Sequence, residues 1–273
     1  MPVPNRTKQP TALPDLHWLV TDDGSLTLWN SSLDETYHSG CGAVAESLVV
    51  YLSHSGVLQR LTNRQPTRVF ELGLGTATAF LLTAAIAEHF RTPLEFWAIE
   101  LRPLPSWVLS QVQIESHLAK ALRDNSLTTA SGKPIELHHF GALNQLTTSL
   151  IAAWSDQLSD FYHVHEFDLS PFVRLRMIVG DATRLDQHPI YPKLNSSFDA
   201  VYFDAFSPES SPELWTFQTI HSYSSLLVGG GSLTSYCVKS SIRKTLEQSQ
   251  MMVRRLPGPV GGKREVLAAQ RCQ

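Results

Sequence analysis

Cysteine is scarce in this chain. Its 273 residues hold three, Cys41, Cys237 and Cys272, and no two form a CxxC pair. That spacing gives no support to a zinc ribbon or a disulfide framework, and free thiols in a reducing compartment are expected. Long apolar runs are missing too: nothing approaches the ~20 residues of a membrane span. The opening MPVPNRTKQPTALPDL lacks the apolar centre of a secretory signal and reads as a flexible leader over residues 1–16. A cytoplasmic protein is expected. No segment repeats with a period of roughly 20–50 residues, which excludes solenoids and propellers. Net charge is only −3, which argues against non-specific binding of nucleic acid.

What is present is ordinary globular material, 42% hydrophobic and 17% charged. The charge is unevenly spread. From Lys239 to Gln273 there are eight Lys/Arg and two acids, a balance of +6 that leaves −9 on the residues before it. The asymmetry describes either a localised basic face or a C-terminal segment solvated by its cations.

Residues 17–38 alternate apolar and polar around Asp23-Gly24, a hairpin signal, and Gly42 to Gln59 has helical spacing. From Arg68 the texture changes. RVFEL is a short strand, GLGTATAFLLTAAIAEHF turns into an Ala/Leu-rich helix, and LEFWAIEL is a second buried strand. The alternation resumes at RLRMIVGDA, FDAVYFDAF and GSLTSYCV. It predicts a parallel sheet with helices on both faces. A polar helix over Ser240–Gln248 and two last strands, MMVRRL and REVLAAQ, form the expected end. The expected organisation is an N-terminal extension over 17–66 and a main domain over 67–273, interrupted by an insertion at about 103–173. The insertion reads as helix Trp107–Arg123, helix Gly141–Phe161 and an extended HVHEFDL, decorating the face that carries the site. Its histidines His138, His139, His163 and His165 lack the tight paired spacing of structural zinc sites, so solvated or packing roles are favoured and no metal is expected.

Open α/β sheets bind ligands at the carboxyl ends of their strands. The strands here end on Glu71-Leu-Gly73-Leu-Gly75-Thr76, on Glu100, on Gly180-Asp181-Ala182 and on Asp204. Glycines after the first strand let the backbone approach a ligand at a helix N-terminus. The third glycine of the dinucleotide fingerprint is absent, as is the Lys-Ser/Thr of a phosphate loop. Glu100 lies 25 residues past Gly75, where an acid accepts ribose hydroxyls. With Asp181 and Ala182 on the adenine side, this order suits S-adenosylmethionine, which has a nucleoside and no pyrophosphate. The stretch FDAVYFDAFSPESSPELW then ends a core strand on Asp204 and follows it with prolines and Trp215. It resembles the amine-holding loop of N-methyltransferases, where a carboxylate orients the nitrogen that attacks the methyl group. Phe206, Pro208 and Trp215 would frame a planar substrate. The plainer reading is a capping Asp before a Pro-containing turn.

Four segments carry a closer likeness: DETYHS (Asp34–Ser39) with Gly42-Ala43 and Glu46 after it, FELGLGT (Phe70–Thr76), DAFSPESSPELW (Asp204–Trp215) and GGKREVL (Gly261–Leu267). In this order, and over most of the chain from about residue 20, the sequence resembles the tRNA 5-methylaminomethyl-2-thiouridine methyltransferases of the MnmC/MnmD type. The resemblance implies an α/β fold of class I S-adenosylmethionine-dependent methyltransferases: Rossmann-like, mostly parallel, with a small β-rich extension and a helical insertion. It implies methyl transfer to the aminomethyl group of a modified wobble uridine in the tRNA anticodon. It also implies a stand-alone form, so that a separate enzyme supplies the aminomethyl precursor. Carried over to this chain, Glu71, Gly73, Gly75, Thr76, Glu100, Asp181 and Ala182 would contact the cofactor, and Asp204 would face the amine. Lys263 and Arg264 would stand at the site mouth or on the RNA backbone, on a glycine hinge. Tyr37 and His38 either line the pocket or pack the extension onto the domain. Ala77 and Ala205 stand where the family more often has glycine.

Two other readings stay in play. Aminopropyl transfer to a polyamine, as in spermidine synthase, also uses a strand-ending Asp, but calls for more acids around the pocket and has no late Lys-Arg-Glu. A non-catalytic protein that holds RNA or a nucleoside would have no need of acids at all four strand ends.

Overall fold

The computed structural model describes residues 7–40, 42–154, 158 and 161–273. Cys41 lies outside them; Cys237 is a buried free thiol and Cys272 an exposed one.

The extension is a four-stranded antiparallel sheet of β1 (Gln9–Pro10), β2 (Leu16–Val20), β3 (Leu26–Asn30) and β4 (Glu35–Thr36), in that spatial order. The β2–β3 hairpin turns through Asp23-Gly24 as its alternation predicts. The leader expectation needs correction: Gln9 and Pro10 pair with Trp18 and His17, and Asp15 forms an ion pair with Arg102. Paired backbone and a bound carboxylate order a segment whose composition alone reads as loose.

The expected helix after Gly42 exists in three pieces: α1 (Ala43–Glu46), π-helical turns over Ser47–Ser53, and α2 (Val57–Thr62). Asp23 ties this helix to the hairpin. Its Oδ1 accepts from Thr21, Ser25 N and Ser25 Oγ, and its Oδ2 accepts from Ala45 N at 3.2 Å, beside the helix start. Gly42 must be glycine: its φ is +151° and any Cβ would run into the Asp23 carboxylate.

The main sheet follows from β5 (Thr67–Leu72), α3 (Thr78–Phe90) and β6 (Leu94–Glu100), then α4 (Ser106–Gln111), α5 (Ile114–Asp124) and α6 (Leu143–Ala153). Next come β7 (Val164–Asp168), β8 (Val173–Val179), α7 (Tyr191–Leu194), β9 (Phe198–Phe203), α8 (Phe217–Ser225), β10 (Leu227–Ser235), α9 (Ser240–Gln248), β11 (Met251–Pro257) and β12 (Glu265–Arg271). The eight strands lie in the order β11-β12-β10-β9-β5-β6-β8-β7. The inner five are parallel, while β7, β12 and β11 run antiparallel to their neighbours. This is the S-adenosylmethionine-dependent methyltransferase fold with an added antiparallel sheet. Successive strand residues point to opposite faces. Val69, Phe96, Leu175 and Tyr202 therefore join the core under α3, whereas Phe70, Trp97, Ile178 and Val201 join the one under α8 and α9.

The insertion differs from its reading in two ways. The single helix expected over Trp107–Arg123 is α4 and α5, broken at Gln113, whose φ is +44°. Part of the helix expected over Gly141–Phe161 lies outside the described residues; α6 ends at Ala153. Nor does the insertion merely decorate a face. Val108, Leu109, Leu118, Leu143, Leu146 and Leu150 are buried in the same core as Phe80, Leu82 and Ile86 of α3. It is a layer of the fold.

Strand order reverses at β5, which pairs in parallel with β6 on one side and β9 on the other. The crevice at the carboxyl ends of β5 and β9 is the switch point at which such sheets bind ligands.

Candidate active site

Two strand ends meet in this crevice. Gly73 follows β5 with φ +83°, and a Cβ there would stand 3.0 Å from the backbone oxygen of Asp204, which follows β9. Only a residue without a side chain lets the two ends close to this distance. Gly75, at φ +50°, leaves room for the Tyr37 ring, which a Cβ would meet at 3.3 Å. Its amide donates to Glu100 Oε2 at 3.1 Å, and Glu100 Oε1 accepts from Arg102 N at 2.9 Å. The acid at the end of β6 thus shapes the glycine loop as well as facing the crevice. Burial pushes its carboxyl above the ordinary range, against the pull of those amides.

Asp204 sits among groups that the linear sequence scatters. The Tyr51 hydroxyl donates to Asp204 Oδ1 at 2.6 Å. Tyr51 is fully buried and lies in the π-helical turns, whose wider winding often marks functional sites. Burial pushes the Asp204 carboxyl well up, the Glu46 charge pushes it further, and the Tyr51 hydrogen bond and Lys263 pull it down. Glu46 is raised by burial and opposed by the Ser39 amide, which it accepts at 2.8 Å, and by Lys263. The Lys263 ammonium stands 4.1 Å from the centre of the Tyr236 ring.

The loop after Asp204 is held by three ties. Tyr236 Oη donates to the Ala205 carbonyl at 2.8 Å, Trp215 Nε1 to the Phe206 carbonyl at 2.7 Å, and Ser207 N and Oγ to Glu35, each at 3.0 Å. Pro212 opens a 3-10 turn over Pro212–Trp215, and Pro208 is half-buried.

The structure brings Gly73, Gly75, Glu100, Tyr37, Phe206, Asp204 and Lys263 together around one crevice. Tyr37 spans it, with its ring beside Gly75 and edge-on to Phe206 at 5.2 Å. Other expected residues make contacts of their own. Trp215 does not flank the crevice: it is 5% exposed and packs edge-on against Phe203 at 5.1 Å, its N–H spent on the loop. His38 is buried with Nδ1 3.0 Å from Thr27 Oγ1, and burial lowers its pKa to about 4, so it packs the extension as a neutral ring. Thr76 bonds Thr78 at 2.8 Å behind the glycine loop. Asp181 caps the turn after β8 by accepting from Thr183 N and Oγ1, and the carbonyl of Ala182 accepts from Tyr223. Arg264 is exposed on the β11–β12 hairpin, whose turn is closed by bonds from Gly258 N to Arg264 O and from Gly262 N to Pro259 O. That closed turn replaces the hinge expected there.

Sequence reading gave no role to Glu35, Glu46, Tyr51 or Tyr236. Glu35 and Glu46 lay in or beside a motif already noticed. Tyr51 sits in an apolar helical stretch and Tyr236 at a strand end, and no local signal distinguishes either.

The residues fit a cationic nucleoside cofactor. Glu71 is buried, its Oε2 has no hydrogen-bond partner, and burial followed by the charges of Asp204 and Glu100 raises its carboxyl well above normal. Three acids crowd one crevice between glycines that exclude side chains. A ligand carrying a sulfonium and an ammonium would relieve that repulsion, and Glu71, Glu100 and the Gly73–Gly75 backbone would hold it. Among the described residues no helix is long and apolar enough to cross a membrane.

A family model described as S-adenosyl-L-methionine-dependent methyltransferase matches residues 142–272. The chain is 26% identical over 246 residues to the tRNA 5-methylaminomethyl-2-thiouridine biosynthesis bifunctional protein MnmC of Ralstonia nicotianae, covering 89% of this chain and 33% of that protein. The MnmC protein of Cupriavidus metallidurans is 25% identical over 256 residues, 92% of this chain and 33% of its own length. The chain thus spans about a third of the curated relatives it matches. Among solved structures, MNMC2 from Aquifex aeolicus superposes with a TM-score of 0.66 at 21% identity, over 97% of this chain and 71% of that one. Spermidine synthase from Thermotoga maritima reaches 0.50 at 10% identity, over 98% and 73%.

Proposed function

We propose that this protein transfers a methyl group from S-adenosylmethionine to the amino nitrogen of an aminomethyl group on a wobble uridine of tRNA. The observation that carries the reading is Asp204, whose backbone closes on Gly73 at the switch point and whose carboxylate is held by the Tyr51 hydroxyl. The names of the MnmC relatives support the substrate.

The bound cofactor supplies an electrophilic methyl on a sulfonium. Asp204 accepts an N–H of the incoming amine and points its lone pair into the crevice. Asp204, with the Glu46 charge beside it, would stabilise the positive charge that methyl transfer leaves on the amine nitrogen and could take up a proton from it. Tyr51 fixes the Asp204 rotamer, and Tyr37 with Phe206 walls the space between cofactor and base. A preceding reaction must install the aminomethyl group, and the setting is the cytoplasm, where mature tRNA is found.

The three acids Glu35, Glu46 and Asp204 give the polyamine reading a specific footing. Two of them are committed, however: Glu35 to Ser207, and Glu46 to the Ser39 amide. Lys263 adds a cation beside Asp204 that repels a polycation. Purified protein offered S-adenosylmethionine with tRNA bearing the aminomethyl uridine, or decarboxylated S-adenosylmethionine with putrescine, separates the two. Nucleoside mass spectrometry should show the methylaminomethyl product in the first case only. An aminopropylated diamine, or no product from either, rejects the proposal.

A further inference from the structure

Far from the crevice, three imidazoles converge. His89 stands in the last turn of α3, and His138 and His139 in the 3-10 turn Leu137–Phe140. Their ligand nitrogens all lie within 4.8 Å of one another. The ring centres are 4.0 Å apart for His138 and His139, 4.7 Å for His89 and His139, and 5.6 Å for His89 and His138. From the glycine loop to His89, α3 runs nearly its full 13 residues, about 20 Å. The cluster therefore lies at the opposite end of the helix from the crevice.

The surroundings prepare these rings. His139 stacks on Phe90 at 5.6 Å with planes 16° apart. Its Nδ1 accepts from the Glu136 amide at 3.0 Å in one tautomer and donates to the Glu136 carbonyl oxygen at 3.1 Å in the other, and it is the second that frees Nε2 for a metal. His138 Nδ1 lies 3.3 Å from the Glu136 carboxylate. A ring N–H donated to a carboxylate or carbonyl leaves the other nitrogen as a metal donor, an arrangement common around bound zinc. The turn itself is anchored, since Phe140 is buried in the core that includes α3.

We propose that His89, His138 and His139 form a binding site for a zinc-class divalent cation, clasping the insertion to the end of α3. Three imidazoles with an open fourth position for water match the nitrogen preference of late first-row metals and not the oxygen preference of magnesium or calcium. Nitrogens on a tetrahedral zinc are about 3.4 Å apart. The rings need to close by little more than an ångström from the separation seen, and His89 and His138 are exposed. The site lay beyond sequence reading because two ligands are adjacent and the third comes from an earlier helix.

Untagged, chelator-stripped protein carrying Cys272→Ser, to remove the exposed thiol, is titrated with zinc chloride by calorimetry. The expected result is one equivalent bound, a rise in melting temperature, and the visible bands of tetrahedral cobalt when cobalt(II) replaces zinc. His89→Ala and His138→Ala should each weaken binding at least tenfold, while His163→Ala leaves it unchanged. No binding to the parent protein, or the parent's affinity retained in either cluster variant, overturns the site.

Discussion

The two halves of the crevice are built differently. The cofactor half comes from consecutive strand ends: Gly73 and Gly75 after β5, and Glu100 after β6, joined by an amide-to-carboxylate bond of 3.1 Å. The substrate half is gathered from six scattered residues, Glu35, Glu46, Tyr51, Asp204, Tyr236 and Lys263, with Tyr51 and Asp204 separated by 153 residues. The first is a local motif that a parallel sheet presents almost automatically. The second exists only once the extension, the π-helical turns and the terminal hairpin have packed around β9. In the proposed reaction the catalytic groups lie in the half with the weaker sequence signature.

If that division is right, damage to each half should appear in a different measurement. The largest effect is expected for Asp204→Asn, which keeps shape and loses charge. Single-turnover methyl transfer should fall about 10²–10⁴-fold, the range for a lost acid–base group, while S-adenosylmethionine affinity changes little. A variant that turns over at the parent rate would reduce Asp204 to a loop cap.

Next comes Glu100→Ala on the cofactor side. Charge-assisted hydrogen bonds contribute about 1.5–3 kcal/mol, so cofactor affinity should drop roughly ten- to a hundredfold by calorimetry. Glu100 also orders the glycine loop through Gly75. Unchanged affinity in the folded variant would remove it from the cofactor site.

The pH profile offers a smaller but sharper comparison. Asp204 must be ionised to accept the amine proton, and its carboxyl is held above the usual range by burial and Glu46, while Lys263 opposes the shift. Activity should therefore rise with pH through a limb above that of an ordinary carboxylate. Glu46→Gln should move the limb down, and Lys263→Ala should move it up. Shifts in the same direction would break the electrostatic assignment.

The smallest effect concerns RNA. Lys263 belongs to the pocket, whereas Arg264 is exposed on the hairpin. Arg264→Ala should flatten the salt dependence of tRNA binding by about 0.7–0.9 in log–log slope, one phosphate contact, without altering cofactor affinity. An unchanged slope assigns Arg264 to a solvated face.

How much of this was legible beforehand depends on the range of the interaction. The core strands from Arg68 onward and the helix after the first of them followed from periodicity, and the polar helix Ser240–Gln248 appears where its pattern was read, while α7 and α8 were not foreseen. Trp215 misled because an aromatic after a proline loop looks the same whether it faces ligand or core; burial against Phe203 decides it. The break at Gln113 was invisible because a single left-handed residue leaves the helical spacing of its neighbours intact.

By itself the sequence determined the alternating strand–helix order, the reversal-prone parallel sheet, and the acids and glycines that stand at strand ends. These depend on contacts close along the chain or on a repeating apolar pattern. Only tertiary structure decided that Tyr51 reaches Asp204, that Glu35 pins Ser207, that Lys263 faces two buried acids, and that His89 meets His138 and His139. Each of those joins residues with no sequence proximity, and each depends on burial, which removes competing water and makes one charge felt by another.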